Sequence, residues 1–363
     1  MENNKAGLYV VIAYFLLTFG IPIFSILFET EYGENTYDNY ARIVAMDYKG
    51  VVQDDDYENG GSLLVTERLT FDVHAKDHYN KFYELWRVLE EAEIDGLRSD
   101  FKVLSVKEIK EDGTEIVYDE SDKLYWDDSD FTNTYGGYGP GKWYHSPGPY
   151  NEALRRYESL MFYVDGLYRE RVTFEIQYIK RNASFRYKDV SQLYLTFIWD
   201  DEKIYLENFN AQILVPDKDM AKEGNYKAFT YGTNGDDFPM TESKTLNPGY
   251  HTFLMELDKD DLKFKPYNQY LEFDLFTFNE DAHVFTDYAK KNLYYNAPFY
   301  DEAMKGVEDY YNTGKKYAMI KGIILLASIG ISILIVRSAI KYDEKLKTKY
   351  VLFNEPDNIL YFR

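Results

Sequence analysis

Apolar and polar residues alternate with a period of two along much of the middle of the chain. In RVTFEIQYIK, Val172, Phe174, Ile176 and Tyr178 alternate with Thr173, Glu175 and Gln177. SLLVTERLTFDV places Leu63, Val65, Leu69, Phe71 and Val73 on one side. The period returns at Phe209, Ala211, Ile213 and Val215, and again at Leu271, Phe273 and Leu275 against Glu272 and Asp274. Successive side chains of a strand point to opposite faces, so this pattern predicts half-buried antiparallel strands. Asp112-Gly113, between FKVLSVKEIKE and TEIVY, predicts a two-residue hairpin turn. Many short strands and few long helical patterns predict a mainly β fold, an antiparallel β-sandwich. Pro216 closes the strand ILVP ahead of the polar stretch DKDMAKEGN. The outer part therefore divides into a larger β lobe at 29–205 and a smaller one at 206–285.

Two segments carry an apolar pattern of a different kind. Gly7 to Phe28 holds 22 residues without a charge, enough to cross a bilayer core of about 30 Å at about 1.5 Å per residue. It reads as an anchor, because SILFETEYG offers no small-x-small cleavage site; a cleaved signal peptide is the competing reading. Tyr317 to Val336 is the second apolar segment, and Lys321, one turn from its start, fits an end residue that reaches the interface. Ahead of it, FYDEAMKGVEDYYNTGKKYAMIKG has helical period and predicts a stalk over 286–316 that runs into the span. The stretch 79–94, YNKFYELWRVLEEAEI, also fits a helix by period. Beyond the second span, Arg337, Lys341, Lys345, Lys347 and Lys349 stand against Asp343 and Glu344. The excess of basic residues places the tail, 337–363, in the cytoplasm. Two spans then put residues 1–6 inside as well, with the middle of the chain outside.

Charge agrees with that topology. The net charge is −21. Residues 1–28 are neutral, and 315–363 hold nine basic and four acidic residues, so the surplus of acid lies on the middle. Such a surface repels phosphates, which excludes nucleic acid as a partner and leaves the lipid bilayer, cations and basic partners. The chain has no cysteine, so disulfides, thiolate metal sites and cysteine nucleophiles are excluded. With 37 tyrosines and 24 phenylalanines, the composition favours strands.

The run Val172 to Pro216, VTFEIQYIKRNASFRYKDVSQLYLTFIWDDEKIYLENFNAQILVP, resembles a family of bacterial membrane proteins, domain-of-unknown-function family 2207. Phe174, Ile176 and Tyr178 match its Y-x-I-x-Y strand. Asp189, Leu193 and Tyr194 match its D-x-x-x-L-Y-W stretch, with Leu195 in place of the tryptophan, and Val215-Pro216 match its closing Leu-Pro. GGSLLVTERLTFDV resembles the family's N-terminal strand. The resemblance covers roughly residues 36–340 and implies an exported β domain followed by a membrane span. It favours strand and turn over helix at 79–94. It implies no catalytic residues.

Candidate sites are few. TYGGYGPGKWYHSPGPY, Thr134–Tyr150, holds five glycines and three prolines, which predicts a long loop without regular strand or helix. Either its rings pack back on the sheets, or Tyr135, Tyr138, Trp143, Tyr144 and His145 form a contact surface. His74 and His78 have the spacing of a helical metal pair but follow a strand, which makes them ordinary turn histidines. Asp127, Asp128 and Asp130 are the best calcium candidates, although DDSDFTNTYGGY lacks the EF-hand glycine and glutamate, so solvated acidic turns and no cofactor are expected. Ser328 and Ser332, one helical turn apart, offer a contact face for another span. No nucleophile elbow, zinc-protease helix, phosphate loop or dinucleotide glycine motif is present. The expectation is a non-catalytic envelope protein that binds a wall polymer, peptide or membrane-protein partner. A scaffold subunit of a membrane complex is the alternative, and an envelope hydrolase using paired carboxylates the second alternative.

Overall fold

Thirteen-residue strands such as Tyr40–Val52 and Arg169–Arg181 grow directly from the period-two pattern, with every second side chain buried from Met46 to Val52 and from Val172 to Lys180. The computed structural model describes residues 40–53, 62–79, 81–91, 93–94, 97–98, 100–121, 140–146, 157–181, 183–198, 204–217, 226–232, 237–258, 271–278 and 298–353. In chain order the strands are β1 (Tyr40–Val52), β2 (Leu63–His74), β3 (Phe82–Glu91), β4 (Glu93–Ile94), β5 (Leu97–Arg98), β6 (Asp100–Ile109), β7 (Glu115–Glu120), β8 (Lys142–Ser146) and β9 (Tyr157–Leu167). There follow β10 (Arg169–Arg181), β11 (Ser184–Arg186), β12 (Val190–Ile198), β13 (Ile204–Pro216), β14 (Tyr226–Tyr231), β15 (Thr241–Ser243), β16 (Tyr250–Asp258) and β17 (Leu271–Phe278). One helix, α1 (Tyr300–Phe353), is described. The fold is mainly β, as the pattern predicts.

Eleven strands form one sheet in the order β15-β16-β13-β1-β2-β10-β6-β7-β8-β9-β3, and four form a second, β11-β12-β17-β14. The expectation of purely antiparallel pairing is corrected in two places. β13 runs parallel to β1, and β8 parallel to β7. Parallel neighbours need a crossover, and the chain makes one by building β2 to β12 before β13 returns to the free edge of β1. Strands on both sides of residue 205 thus share the large sheet. At 79–94 the strand that the family resemblance favours is present, in place of the helix that the period alone would allow: Phe82–Glu91 pairs with β9 over most of its length. Leu85, Arg87 and Leu89 point inward, so the period of two decides over the helical one.

Rings fix how the sheets meet. Phe197 of β12 lies 4.9 Å from Tyr48 and 5.2 Å from Phe209, and Phe253 lies 5.3 Å from Phe273. These contacts press the four-stranded sheet onto β1, β13 and β16. Phe162 of β9 stacks on Phe174 of β10 at 4.6 Å although three strands separate them in the sheet. The large sheet therefore curls over its own face, and one hydrophobic cluster runs through all of these strands.

At the centre of that cluster lies an ion pair. Glu67 occupies an inward position of β2, in phase with Val65 and Leu69, and is fully buried. Arg87 of β3, 1% exposed, gives it two hydrogen bonds, Nε to Oε2 at 3.0 Å and Nη2 to Oε1 at 3.1 Å. Nη2 also donates to the Phe197 carbonyl of β12 at 2.9 Å, and Tyr178 of β10 donates to Glu67 at 2.8 Å. Burial and the carboxylate charge raise the Tyr178 pKa well above its ordinary value, so the hydroxyl stays a donor.

The hairpin at Asp112-Gly113 is present, with one more residue in its loop than predicted. Gly113 N–H donates to Lys110, Lys110 N–H to Thr114, and Gly113 has φ +83°. That is a type I turn followed by a left-handed glycine, a three-residue loop. Asp112 Oδ1 accepts from Thr114 N–H at 2.9 Å and stabilises it.

α1 belongs to two units of the chain: Tyr300–Tyr311 to the unit of the strands, and the helix from Asn312 onward to a second. Within the second, Gly322–Tyr342 has a mean hydropathy of 2.4 and is long and apolar enough to cross a membrane. Its 21 residues extend about 31 Å. It starts just past Lys321, a few residues beyond the expected start. Ser328 and Ser332 bond back to the helix carbonyls of Leu325 and Ser328. The first expected span, 7–28, lies outside the described residues.

Three substitutions test this packing. Gly166 has φ +48°, and a Cβ there would stand 2.8 Å from the Tyr83 ring. Gly166→Ala should lower unfolding stability in denaturant titration by more than about 1 kcal/mol, from backbone strain and the clash together. Arg87→Met and Glu67→Leu should each cost about 3–5 kcal/mol, since each strands a buried charge. The double variant should cost far less than the sum; additive losses in a double-mutant cycle would sink the coupling.

Candidate functional site

The four-stranded sheet has two different faces. Register puts Leu193, Leu195, Phe273, Leu275, Ala228 and Thr230 inward. Gln192, Tyr194 and Thr196 of β12, Glu272, Asp274 and Phe276 of β17, and Lys227, Phe229 and Tyr231 of β14 share the outer face. The first turns of α1 cover that face. Tyr300, Ala303, Met304, Val307, Tyr310 and Tyr311 form its half-buried stripe, at the spacing of one helical face.

Polar contacts fix the docked helix at both ends of this stretch. At its start, Asp189 Oδ1 and Oδ2 accept from the backbone N–H groups of Phe299 and Tyr300 at 2.9 and 3.2 Å. A carboxylate there satisfies orphan donors and complements the positive end of the helix dipole. Phe299 stacks on Tyr187 at 4.0 Å, and Lys227 lies 5.5 Å from the centre of the Tyr300 ring. Three turns on, Tyr311 donates to the Thr230 carbonyl at 2.9 Å and Tyr310 to that of Gly232. Both rings contact Tyr231, at 6.1 and 4.9 Å.

Asp274 sits beneath, 4% exposed. Gln192 Nε2 lies 3.0 Å from each of its oxygens, and Tyr231 Oη 3.5 Å from Oδ2. Tyr187 in turn donates to the Gln192 amide oxygen at 3.3 Å. Burial raises the Asp274 pKa to about 8; the donors oppose the rise and Glu272 adds to it. Burial also raises Tyr194 and Tyr231, each further raised by nearby carboxylates. Tyr311 is pushed to about 12 by burial and by Asp237, which lines with it a cavity of about 580 Å³ that also touches Phe229, Phe238 and Met240. The sequence reading put Glu272 and Asp274 on a solvent face. The signal that α1 covers them is the apolar pair Phe276 and Phe278, which begins a second apolar row in the outward phase of β17.

Two other carboxylates are shaped by their neighbours. Burial raises Glu84 of β3 to about 7 against a hydrogen bond from Trp86. His251, 2% exposed, meets Glu242 at 3.0 Å, and Tyr226 donates to the same oxygen at 2.7 Å.

The predicted contact loop is only partly described, and its reading changes. Lys142–Ser146 is strand β8, so the expectation of no regular strand in Thr134–Tyr150 is corrected. Gly141, at φ +92°, supplies the turn, and β9 supplies the partner strand. Trp143 is 6% exposed and belongs to the core. Tyr144 is half-buried, and His145 Nε2 lies 2.5 Å from the buried carboxylate of Glu158. Tyr135, Tyr138 and the calcium candidates Asp127, Asp128 and Asp130 lie outside the described residues. His74 stacks on Tyr40 and His78 on Tyr168, two separate contacts. Among the described residues no group of three or more His, Asp and Glu is placed to hold a metal.

No match was found among curated proteins. Among solved structures, the chain is similar to a Parabacteroides distasonis protein described as a candidate protease, with 11% identity over 64% of this chain and 40% of that one, at a TM-score of 0.34. It is also similar to a two-domain M1 zinc metallopeptidase, with 9% identity over 64% and 42% of the two chains and a TM-score of 0.33. An M1 zinc metallopeptidase from Deinococcus radiodurans gives 10% identity over 64% and 42%, at 0.32. The chain spans about two fifths of those structures, whose activities stay with them. Residues 54–252 match the family described as predicted membrane protein (DUF2207), N-terminal domain. The match takes in β2 to β15, more than half of the chain, and the protein belongs to this family.

Proposed function

We propose that the protein is a membrane-anchored, extracytoplasmic binding or sensing protein of the bacterial envelope, without catalysis. The observation that carries this reading is α1, one helix whose first turns are clamped to a sheet and whose later residues are apolar enough to span a bilayer. A sheet fixed to the head of a membrane helix suits reception of a ligand at a cell surface. In this reading a β-sandwich faces outward, both termini face the cytoplasm, and an envelope polymer, peptide or membrane protein is the ligand. The residues around β8 form its contact surface, with Tyr135, Tyr138 and Tyr144 as the aromatic anchors, while Trp143 belongs to the core.

Orientation is testable because the chain has no cysteine of its own. Tyr79, 96% exposed, is the outer reporter and Lys345 the inner one. In intact cells Tyr79→Cys should react with a membrane-impermeant maleimide, while Lys345→Cys should react only after lysis. The opposite pattern would reject the topology.

Binding is tested on the full chain in lipid nanodiscs by thermal shift with wall-glycan fragments and basic peptides. Stabilisation should appear without turnover of the added compound, and Tyr144→Ala should remove it while keeping the melting temperature of the free protein. Product formation would argue for the hydrolase instead.

A further inference from the structure

We infer that Asp274 is a proton-operated latch: with its proton it holds the head of α1 on the four-stranded sheet, and without it the helix loosens. The geometry comes first. Asp274 lies on the face that α1 covers, between the Asp189 cap at one end and the Tyr310 and Tyr311 hydrogen bonds at the other, and nearer the second. Its partners also touch the helix. Gln192, which holds both of its oxygens, is held by Tyr187, and Tyr187 stacks on Phe299. Tyr231, at 3.5 Å, packs against Tyr310 and Tyr311. A change in the charge of Asp274 therefore reaches the start of the docked stretch through Gln192 and Tyr187, and its end through Tyr231.

The charges around it set the direction. Tyr194 faces it from β12 and Tyr231 from β14, and both stay protonated. Glu272, on its own strand, is a second acid two residues away. α1 brings Tyr310 and Tyr311 over Tyr231, with Asp237 beyond Tyr311. Lys227, the cation on this face of β14, sits level with Phe276 and over the Tyr300 ring. The surroundings thus favour the neutral acid. Its pKa of about 8 in the docked state compares with about 3.9 for a hydrated aspartate.

The sign follows from linkage. Below the hydrated value both states hold the proton and docking is insensitive to pH. Between about 4 and about 8, only the docked state holds it, so docking weakens by up to about tenfold per pH unit. Above about 8 both states are ionised and the loss is complete. Acid favours the clamped helix and alkali releases it.

The test is hydrogen exchange at the amides of residues 303–311 in the full chain in nanodiscs, corrected for the intrinsic rate at each pH. Protection should fall steeply from pH 5 to pH 8 and then level off. Asp274→Asn, which keeps the shape and cannot ionise, should give protection that is flat with pH. Glu272→Gln removes the neighbouring acid and should move the levelling-off point to lower pH. Protection in the native protein that does not change with pH, or a slope that survives in Asp274→Asn, overturns the latch. An unmoved point in Glu272→Gln also counts against it, and does so even where the asparagine variant does not fold.

Discussion

The bond between Arg87 and Glu67 is the constraint on which the rest of the fold hangs. β2 lies in the middle of the large sheet, β3 at its far end, and β12 in the other sheet. A guanidinium from the second that grips a carboxylate of the first and a carbonyl of the third can exist only when all three have met. Hydrophobic burial alone is tolerant of sliding. A forked donor with fixed geometry is not, and a buried carboxylate left without it carries a large desolvation cost. The curl of the large sheet and its seating against the small one are thereby held to one arrangement, and the stacked rings of Phe162 and Phe174 fill the space around it.

Much of this was legible in the sequence, and what was not had physical causes. The strands at Val172–Tyr178 and Phe209–Val215 follow from alternation because each has one polar face. Glu67 breaks the apolar run of β2 at an inward position, which marks a buried charge, yet nothing local names Arg87 as its partner. The helical period of 79–94 misleads because Leu85, Arg87 and Leu89 are spaced for a strand while neighbouring apolar residues fill the helical pattern too. At Thr134–Tyr150, glycine and proline content argued against any strand, but a five-residue strand needs only the turn at Gly141 and the edge of β9. Asp274 was hardest: whether a strand's second face meets water depends on a helix that follows later in the chain.

The docked head of α1 changes the meaning of the small sheet. A sheet with one apolar face needs one covering layer, whereas this one is covered on both. Its inner face joins the main core and its outer face receives the helix. Asp189 is the hinge between sequence and function here. It lies just before β12, and its carboxylate caps a helix that begins more than a hundred residues later. The residues that hold the helix are thus built into the sheet.

The abundance of tyrosine acquires a reason in the same terms. Tyr118 donates to Glu108, Tyr178 to Glu67 and Tyr226 to Glu242, while Tyr310 and Tyr311 donate to carbonyls of the sheet. A phenylalanine would fill those sites and take one donor from each acceptor; a lysine would supply the donor at the cost of adding another charge. Burial and the nearby carboxylates raise the pKa of Tyr118 and Tyr178 well above the ordinary phenol value, so these donors keep their protons near neutrality. Tyrosine thereby adds a neutral donor to carboxylates that already meet a basic side chain, Glu67 beside Arg87, Glu108 beside Lys110 and Glu242 beside His251. What tyrosine cannot do is neutralise an acid: Asp274, held by Gln192 and Tyr231, and Glu84, held by Trp86, meet neutral donors, and burial raises their pKa to about 8 and about 7.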